Sequence, residues 1–172
     1  MGHNRGNFNL DYSEGFKIER ERFKLLKSTM MNVLGASQLE ETSRTLIDLA
    51  CGIDAYAEIQ GNVYGISLRV RDKDYNSFTL SRHIDDVNSE VRKWTNQRKT
   101  KIKPAYHIQC NKVSDNQYTV FRINIDAFAV WLKIQIRDSH LEDFYNHQLM
   151  AYEFNYEKIK NLDGVSKFTR YS

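Results

Sequence analysis

Residues 52–71 read GIDAYAEIQGNVYGISLRVR, and this stretch decides the fold. Apolar residues alternate with polar or small ones on both sides of residues 61–62, a Gly-Asn pair typical of a tight turn between strands. Asp54 lies at the start of the first strand, and Ser67 and Arg69 lie two residues apart on the second. The stretch therefore predicts a β-hairpin with one buried face and with polar or charged side chains on the other.

The segment before the hairpin has a different period. Apolar residues recur at spacings of three, four and seven, which predicts an amphipathic helix over roughly residues 14–34 that ends at Gly35. Ser37 and Glu40 have the spacing of a capping box, which predicts that a short second helix begins there. The apolar residues at 46–50 fit either the end of that helix or a buried strand.

In the segment after the hairpin, stretches with the two-residue period of a strand alternate with stretches that have the period of a helix. Strands are predicted at residues 77–82, 105–110 and 118–125, and helices are predicted at residues 84–94, after Asp126 and from Ser139 to Gly164. The last helix carries more aromatic side chains than one buried stripe accounts for. That surplus indicates either a partner surface or a helix that its own domain covers on two sides.

Together these elements predict one domain of the α/β (α+β) class. We expect a central mixed sheet of about five to six strands flanked by helices, followed by a C-terminal helical extension. Residues 1–12 are predicted to be a flexible tail, residues 13–138 the single core domain, and residues 139–172 the helical extension. The extension would pack on the core or on a partner.

Length and composition exclude several classes of protein. The chain has 172 residues, of which 41% are hydrophobic and 27% charged, as in a globular domain rather than a disordered segment. Two cysteines do not make a disulfide framework, which favours a reducing compartment and a cytoplasmic protein. We expect no membrane partner, because the longest apolar stretches are far shorter than a membrane span.

The distribution of charge is more informative than the net charge of +3. Residues 91–103 contain no acidic side chain and six basic ones, which are Arg92, Lys93, Arg98, Lys99, Lys101 and Lys103. Clustered cations beside Thr, Asn and Gln side chains are suited to phosphate contact, although a solvated helix end has the same composition. Trp94 lies on the apolar stripe of its helix and is predicted to be a core residue rather than a base-stacking one.

The order of elements, with Asp54 opening one strand and Ser67-Leu68-Arg69 on the next, resembles the PD-(D/E)XK nuclease-like superfamily. In that superfamily an Asp begins the second core strand. An acid or Gln, any residue and a Lys then follow on the third strand, and a helix comes next. The resemblance covers roughly residues 16–125 in layout, and it implies a restriction-endonuclease-like fold.

The resemblance also implies a catalytic site at Asp54, Ser67 and Arg69. In active members two acidic side chains hold a divalent metal, here Mg²⁺ or Mn²⁺, and hard cations of this kind prefer oxygen ligands. Ser67 stands in the place of the second acid and Arg69 in the place of Lys, so two of the three positions depart from the pattern. Glu41 is our candidate for the missing metal ligand beside Asp54; the other candidates are Glu40, Asp48 and Glu58.

Two functions follow as expectations. The first is a nucleic-acid-binding protein, with DNA as the expected nucleic acid, that uses Arg69, Arg71 and the cations of residues 91–103 and cleaves if its metal site is intact. The second is a non-enzymatic interaction protein, such as an accessory or inhibitory factor of a phage or mobile element. It would bind a protein partner or a second copy through aromatic side chains of the last predicted helix, which are Phe144, Tyr145, Tyr152 and Tyr156.

Overall fold

The computed structural model describes residues 8–42, 51–82, 90–95 and 102–171. In chain order these residues form α1 (Phe8–Leu34), β1 (Gln38–Glu41), β2 (Ala55–Ile59), β3 (Asn62–Arg71), β4 (Ser77–Ser81), α2 (Glu90–Trp94), β5 (Tyr106–Ser114), β6 (Gln117–Asn124), α3 (Ile125–Arg137), a 3₁₀ turn (Leu141–Phe144), β7 (Tyr145–Asn146), β8 (Ala151–Asn155), α4 (Tyr156–Ile159) and β9 (Val165–Tyr171).

The strands form two sheets. The larger one has six strands in the order β1-β2-β3-β5-β6-β9, and the smaller one has three in the order β4-β8-β7. Every neighbouring pair is antiparallel except β3 and β5, which are parallel and are joined through β4 and α2. The predicted α+β class, with a mixed sheet flanked by helices, is confirmed.

The β2–β3 hairpin of the large sheet is also confirmed, but its two-residue turn is Gln60-Gly61 and not the predicted Gly61-Asn62, because Asn62 already belongs to β3. Gln60 and Gly61 at its turn have φ values of 51° and 77°, and Ile59 pairs with Asn62 across it. Two consecutive positive φ values are the geometry that a two-residue hairpin requires, because their twist matches that of the flanking strands. The predicted strands corresponding to β4, β5 and β6 and the predicted helix corresponding to α3 are present as well.

Each face of the large sheet covers its own hydrophobic cluster. On one face, α1 buries Leu26 and Met30 against strand residues such as Ile66 and Ile108. On the other face, the small sheet and the shorter helices form a second cluster of aromatic and aliphatic side chains, which includes Phe78, Trp94, Phe121, Phe128 and Phe154. Burial of this much apolar surface on both faces holds the layers together.

Two predictions near the N-terminus are wrong. The segment predicted to begin a short helix at Ser37 is the strand β1, because Ser37 N–H donates to Glu58 O at 2.9 Å and the following residues pair with β2. Tertiary pairing has overridden the local capping signal. Helix α1 begins at Phe8, inside the predicted tail, and residues 1–7, 46–50 and 83–89 lie outside the described residues.

The predicted C-terminal helical extension is wrong. Residues 139–171 form the 3₁₀ turn, the short helix α4 and three strands, of which β8 pairs with β4 and β9 with β6. Ser139 and Met150 have φ values of 61° and 49°, and a residue with positive φ interrupts a right-handed helix. The segment therefore completes both sheets instead of standing apart as a helix.

The cysteines and the helices bear on the expected environment. Cys51 and Cys110 are both free and both buried. Burial raises the pKa of the Cys110 thiol to about 12, so that thiol stays protonated at neutral pH. A separate finding concerns the membrane. Of the helices in the described ranges, none is both long and apolar enough to cross one.

Gly164 tests the docking of β9 against α3. It has a φ of +80°, and a Cβ at this position would lie 2.8 Å from the Cβ of Ala127 and 3.0 Å from Asn124 O. Gly164→Ala adds this clash to the cost of a left-handed backbone, so we expect it to lower the free energy of unfolding by about 3 kcal/mol. Gly35, with a φ of +66° and open space around it, is the matched control.

Urea denaturation measures both variants. Gly35→Ala carries only the backbone cost, and we expect a loss of about 1 kcal/mol. Equal losses in the two variants would contradict the close approach of Gly164 to α3.

Candidate functional site

The parallel strands β3 and β5 place six polar side chains in one row. Every second side chain of a strand points to the same face, and neighbouring residues of the two strands share that face. The row consists of three in-register pairs, which are Ser67 with His107, Arg69 with Gln109, and Arg71 with Asn111. We call this set the polar row.

The polar row bonds to the backbone of β4. One edge of β4 pairs with β8, and its other edge faces the row. Gln109 Oε1 accepts from Thr79 N–H at 2.9 Å, Arg69 Nη1 donates to Thr79 O at 2.6 Å, and Asn111 Nδ2 donates to Ser77 O at 2.8 Å. These side chains take the place of a neighbouring strand, which a buried strand edge otherwise needs.

Arg69 is held by a carboxylate as well. Its Nη2 lies 2.8 Å from Glu90 Oε2, and the two side chains are only 19% and 14% exposed. Glu90 Oε2 also accepts hydrogen bonds from the N–H and the hydroxyl of Ser81. Burial alone would raise the pKa of Glu90, but Arg69, His107 and the Ser81 bonds lower it, and the net pKa lies below its usual value. Glu90 is therefore ionised at neutral pH.

Of the other two predicted catalytic residues, Asp54 lies directly before β2 and Ser67 lies on β3. Asp54 N–H donates to Ile66 O at 2.8 Å, and Asp54 Oδ2 accepts from Leu68 N–H at 2.6 Å. The carboxylate thus continues the β2–β3 pairing beyond the end of β2. Ser67 Oγ lies 3.1 Å from His107 Nδ1 inside the fold. Both side chains contact this chain's own strands.

The carboxylates proposed as metal ligands do not converge. Glu41 lies opposite Ala55, whose side chain packs in the α1 cluster, and it pairs with Arg20 Nε of α1 at 3.6 Å. Glu40 pairs with Lys27, and Glu58 accepts from Ser37 Oγ. Asp48 lies outside the described residues. Among residues 8–42, 51–82, 90–95 and 102–171 there is no group of three His, Cys, Asp or Glu side chains that could hold a metal ion. The described residues do not fit the Mg²⁺ or Mn²⁺ site that the resemblance implies.

The predicted basic segment is only partly described. Arg92 and Lys93 lie half-buried on α2. Lys103 Nζ lies 2.6 Å from Asp126 Oδ1 and donates to Trp94 O, so this cation is bound internally. Arg98, Lys99 and Lys101 lie outside the described residues. Trp94 is buried, as predicted, with its ring centre 5.3 Å from that of His107.

The aromatic residues predicted to bind a partner belong to the second hydrophobic cluster. Phe144, Tyr145 and Tyr156 pack against it, and Tyr152 is buried within it. The Phe144 ring stacks on Phe154 with centres 5.2 Å apart, and the Tyr152 hydroxyl donates to Glu142 Oε1 at 2.9 Å. These four side chains therefore contact the domain itself, although they lie on several short elements and not on the one helix that both explanations of the aromatic surplus assumed.

A cleft of about 610 Å³ opens where the polar row ends at Arg71. We call it the cationic cleft; the lining residues that matter here are Arg22, Arg71, Asp72, Lys73, Tyr75 and Asn111. Arg71 Nη2 donates to Thr79 Oγ1 at 3.0 Å, but Arg71 Nε is buried and finds no acceptor among the described residues. Burial lowers the pKa of Arg71, and the neighbouring charge of Arg69 lowers it further. Within the described ranges Arg71 forms no ion pair.

His107 is fully buried at the other end of the polar row. Its Nε2 has no hydrogen-bond partner in the described part of the chain, and the rings of Phe78 and Trp94 lie beside it. Burial lowers its pKa to about 4, and Arg69 and Arg71 act in the same direction while Glu90 opposes them. His107 is therefore neutral at pH 7 and serves the core rather than proton transfer.

Several of these residues were not predicted from the sequence. Gln109, Asn111 and Glu90 form the contacts of the polar row, and Tyr75 and Arg22 line the cationic cleft. One signal was present, because the polar residues at 107, 109 and 111 alternate with apolar ones in a predicted strand. Polar side chains at every second position of two neighbouring strands indicate an interior face that is held by hydrogen bonds.

The Arg69–Glu90 pair gives a test of the polar row. Glu90→Ala leaves a buried guanidinium without its carboxylate, so we expect it to lower the free energy of unfolding by about 3–5 kcal/mol. Adding Arg69→Met removes that charge. The double variant should therefore lose less unfolding free energy than the two single variants lose in sum. The exposed Lys27–Glu40 pair is the control, where Glu40→Gln should cost about 0.5 kcal/mol. Additive losses at Arg69 and Glu90 in urea denaturation would contradict the coupling.

His107 gives a test that depends on pH. Its pKa is about 4 in the folded chain, against an ordinary value of 6.5 in the unfolded chain. The unfolded chain therefore binds more protons between these two values, and stability falls as pH falls. From about pH 7 to about pH 5 we expect a loss of about 2 kcal/mol from this group. His107→Phe should lose less over the same range, although it starts less stable because Ser67 loses its partner. Identical pH profiles in urea denaturation would show that His107 does not titrate as stated.

The chain was also compared with known proteins. No protein-family model, no curated protein and no solved structure matched it. A function has to be argued from the residues of the polar row and the cationic cleft themselves.

Proposed function

We propose that this chain is a nucleic-acid-binding protein with a PD-(D/E)XK-like layout that binds without cleaving. The observation that carries the proposal is the contrast between Arg69 and Arg71 on one face of β3. Arg69 is neutralised by Glu90 and bonded to Thr79. Arg71 has no carboxylate partner in the described ranges and lines an open cationic cleft. A guanidinium that lines a cleft and has no ion-pair partner in the described ranges, with Glu90 acting on it only through its charge, is suited to a phosphate group.

The order of elements supports the layout. Asp54 directly precedes β2, a tight turn leads to β3 with Ser67 and Arg69, and α2 follows before the chain returns. The returning strand β5 lies parallel to β3 in the same sheet. Asp54, the turn, the positions of Ser67 and Arg69 on β3 and the helix that follows are the features on which the resemblance to the superfamily rests.

The contacts of the three motif positions support binding without cleavage. Metal-dependent phosphodiester hydrolysis needs carboxylates around a cation, and a group to stabilise the charge that develops on the phosphate. Asp54 accepts a backbone N–H, Ser67 is a neutral hydroxyl beside His107, and Arg69 is bonded to Glu90 and Thr79. In this arrangement each side chain stabilises the strands.

We further propose that the protein acts in the cytoplasm. Its two thiols are free and buried, which suits a reducing compartment. The alternative of a protein-interaction factor has no separate observation in its favour, because one of the aromatic side chains on which it depended is buried in the second cluster and the other three pack against it.

A binding and a cleavage assay test this proposal together. Fluorescence anisotropy with labelled single-stranded and duplex DNA should show binding at about 50 mM salt that weakens strongly at about 200 mM, because bound phosphates release counterions. Substituting Lys99 and Lys101 with Glu reverses two charges and should weaken binding about tenfold. Lys133→Glu, which reverses an exposed charge on α3, is the control and should bind as the wild type does. Plasmid and single-stranded DNA should stay intact with Mg²⁺ or Mn²⁺.

Two results would overturn the proposal. Cleavage by the wild-type chain that is lost in Asp54→Asn would make the protein a metal-dependent nuclease. Asn keeps an acceptor for the Leu68 N–H, so this variant separates chemistry from folding. Absence of binding to both forms of DNA at the lower salt concentration would remove the binding function.

A further inference from the structure

We propose that the cationic cleft binds one nucleotide unit of a single-stranded nucleic acid, with its phosphate on Arg71 and Lys73 and its base on Tyr75. The inference rests on the proposed function, and it assigns the site and the form of nucleic acid that the site takes. The three residues lie at the end of β3 and in the turn that follows it.

Arg71 supplies the strongest reason for an anion. Its guanidinium is half-buried next to the like charge of Arg69, and its hydrogen-bond acceptor in the described chain is the neutral hydroxyl of Thr79. Its Nε remains buried without an acceptor. A buried cation is stabilised only when a counter-charge or further hydrogen bonds compensate its lost hydration. A phosphate that enters the cleft supplies both.

The other charges of the cleft favour the same ligand. Its described lining residues include three cations against one carboxylate, Asp72, and Asp72 lies 2.7 Å from Arg22 in an ion pair. The charges of Arg71 and Lys73 are therefore left for a ligand. Asn111 and Gln109 also line the cleft, and their hydrogen bonds to β4 hold their side chains in place.

Tyr75 supplies a platform for a base. Its side chain is 54% exposed, and Lys73 Nζ lies 5.8 Å from the ring centre. The turn that carries it is fixed, because Asp74 accepts from Asn76 N–H at 2.8 Å and from Thr119 Oγ1 at 2.6 Å. An exposed aromatic ring on a fixed turn beside cations is the combination that stacks bases in single-strand binding sites.

The position of the ring favours a single strand over a duplex. In a duplex each base is stacked between its neighbours, so its face is not available to a protein ring. A cleft of about 610 Å³ lies in the size range of small-ligand pockets, which fits a nucleotide. Phosphate and base are common to DNA and RNA, so the proposal covers both sugars.

The test measures binding of labelled single strands of about 12 nucleotides by fluorescence anisotropy at about 50 mM salt. A DNA strand, an RNA strand, a DNA duplex and an abasic DNA strand of equal length are compared. We expect either or both of the base-bearing single strands to bind more tightly than the duplex and the abasic strand. Tyr75→Ala and Lys73→Gln should each weaken the binding of that single strand about tenfold.

Matched variants separate the site from general charge and exposure. Lys133→Gln removes one exposed charge on α3, and Tyr171→Ala removes an exposed tyrosine on β9; both should bind as the wild type does. Arg71→Lys keeps the charge but loses the planar fork of donors, and it should also weaken binding. Thermal unfolding confirms that each variant is folded. Tyr75 and Lys73 are exposed, so the test does not depend on whether Arg71 tolerates substitution.

The outcomes distinguish this inference from the proposed function. Wild-type affinity in Tyr75→Ala and Lys73→Gln, together with weaker binding when Lys99 and Lys101 become Glu, would overturn the cleft and leave nucleic-acid binding in place. Equal binding of abasic and base-bearing strands would overturn the role of Tyr75 and with it the inference. Absence of binding to every strand would overturn both.

Discussion

The outer edge of β4 is bonded by side chains instead of a strand. Four of its backbone groups face the polar row, and Arg69, Gln109, Asn111 and Glu90 bond to them. An unsatisfied buried backbone group costs about 1–3 kcal/mol, so these hydrogen bonds, together with the second hydrophobic cluster, hold the small sheet against the large one. The second hydrophobic cluster contains residues of both sheets, so its burial requires that the two sheets stay in contact. The polar interior is thus a condition of the fold.

This constraint changes the meaning of the nuclease-like positions. The face of β3 with Ser67 and Arg69, on which the resemblance to the superfamily rests, makes hydrogen bonds to β4, β5 and α2 in this chain. Arg69 bonds to both β4 and α2, which ties the crossover between β3 and β5 to the sheet. His107 remains neutral in the same interior chiefly because burial disfavours its protonated form, and the charges of Arg69 and Arg71 lower its pKa in the same direction. The row is a hydrogen-bonded core network in which Arg71 Nε and His107 Nε2 lack a partner within the described part of the chain.

The sequence predicted those elements whose signals are local. The β2–β3 hairpin and α3 have a clear period and a clear turn or cap, and both are present. The C-terminal segment has apolar residues that fit both periods, and positive φ values at Ser139 and Met150 decided against a helix. The bond from Thr79 to Gln109 joins residues 30 positions apart, and no local pattern specifies such a partner. The cationic cleft combines α1 with the turn after β3, and pattern alone does not place them together.

Arg69 and Arg71 show how compensation of charge separates structural residues from binding residues. In the sequence they are equivalent, since they lie two positions apart on one face of one strand. In the structure Glu90 neutralises Arg69. Glu90 also accepts a hydrogen bond from the Ser81 hydroxyl, and Arg69 donates one to the Thr79 hydroxyl. A second carboxylate at Arg71 would have completed the interior in the same way. Arg71 opens instead to a cleft whose one carboxylate pairs with Arg22, and a site that keeps an excess of positive charge is suited to an anion from outside the chain.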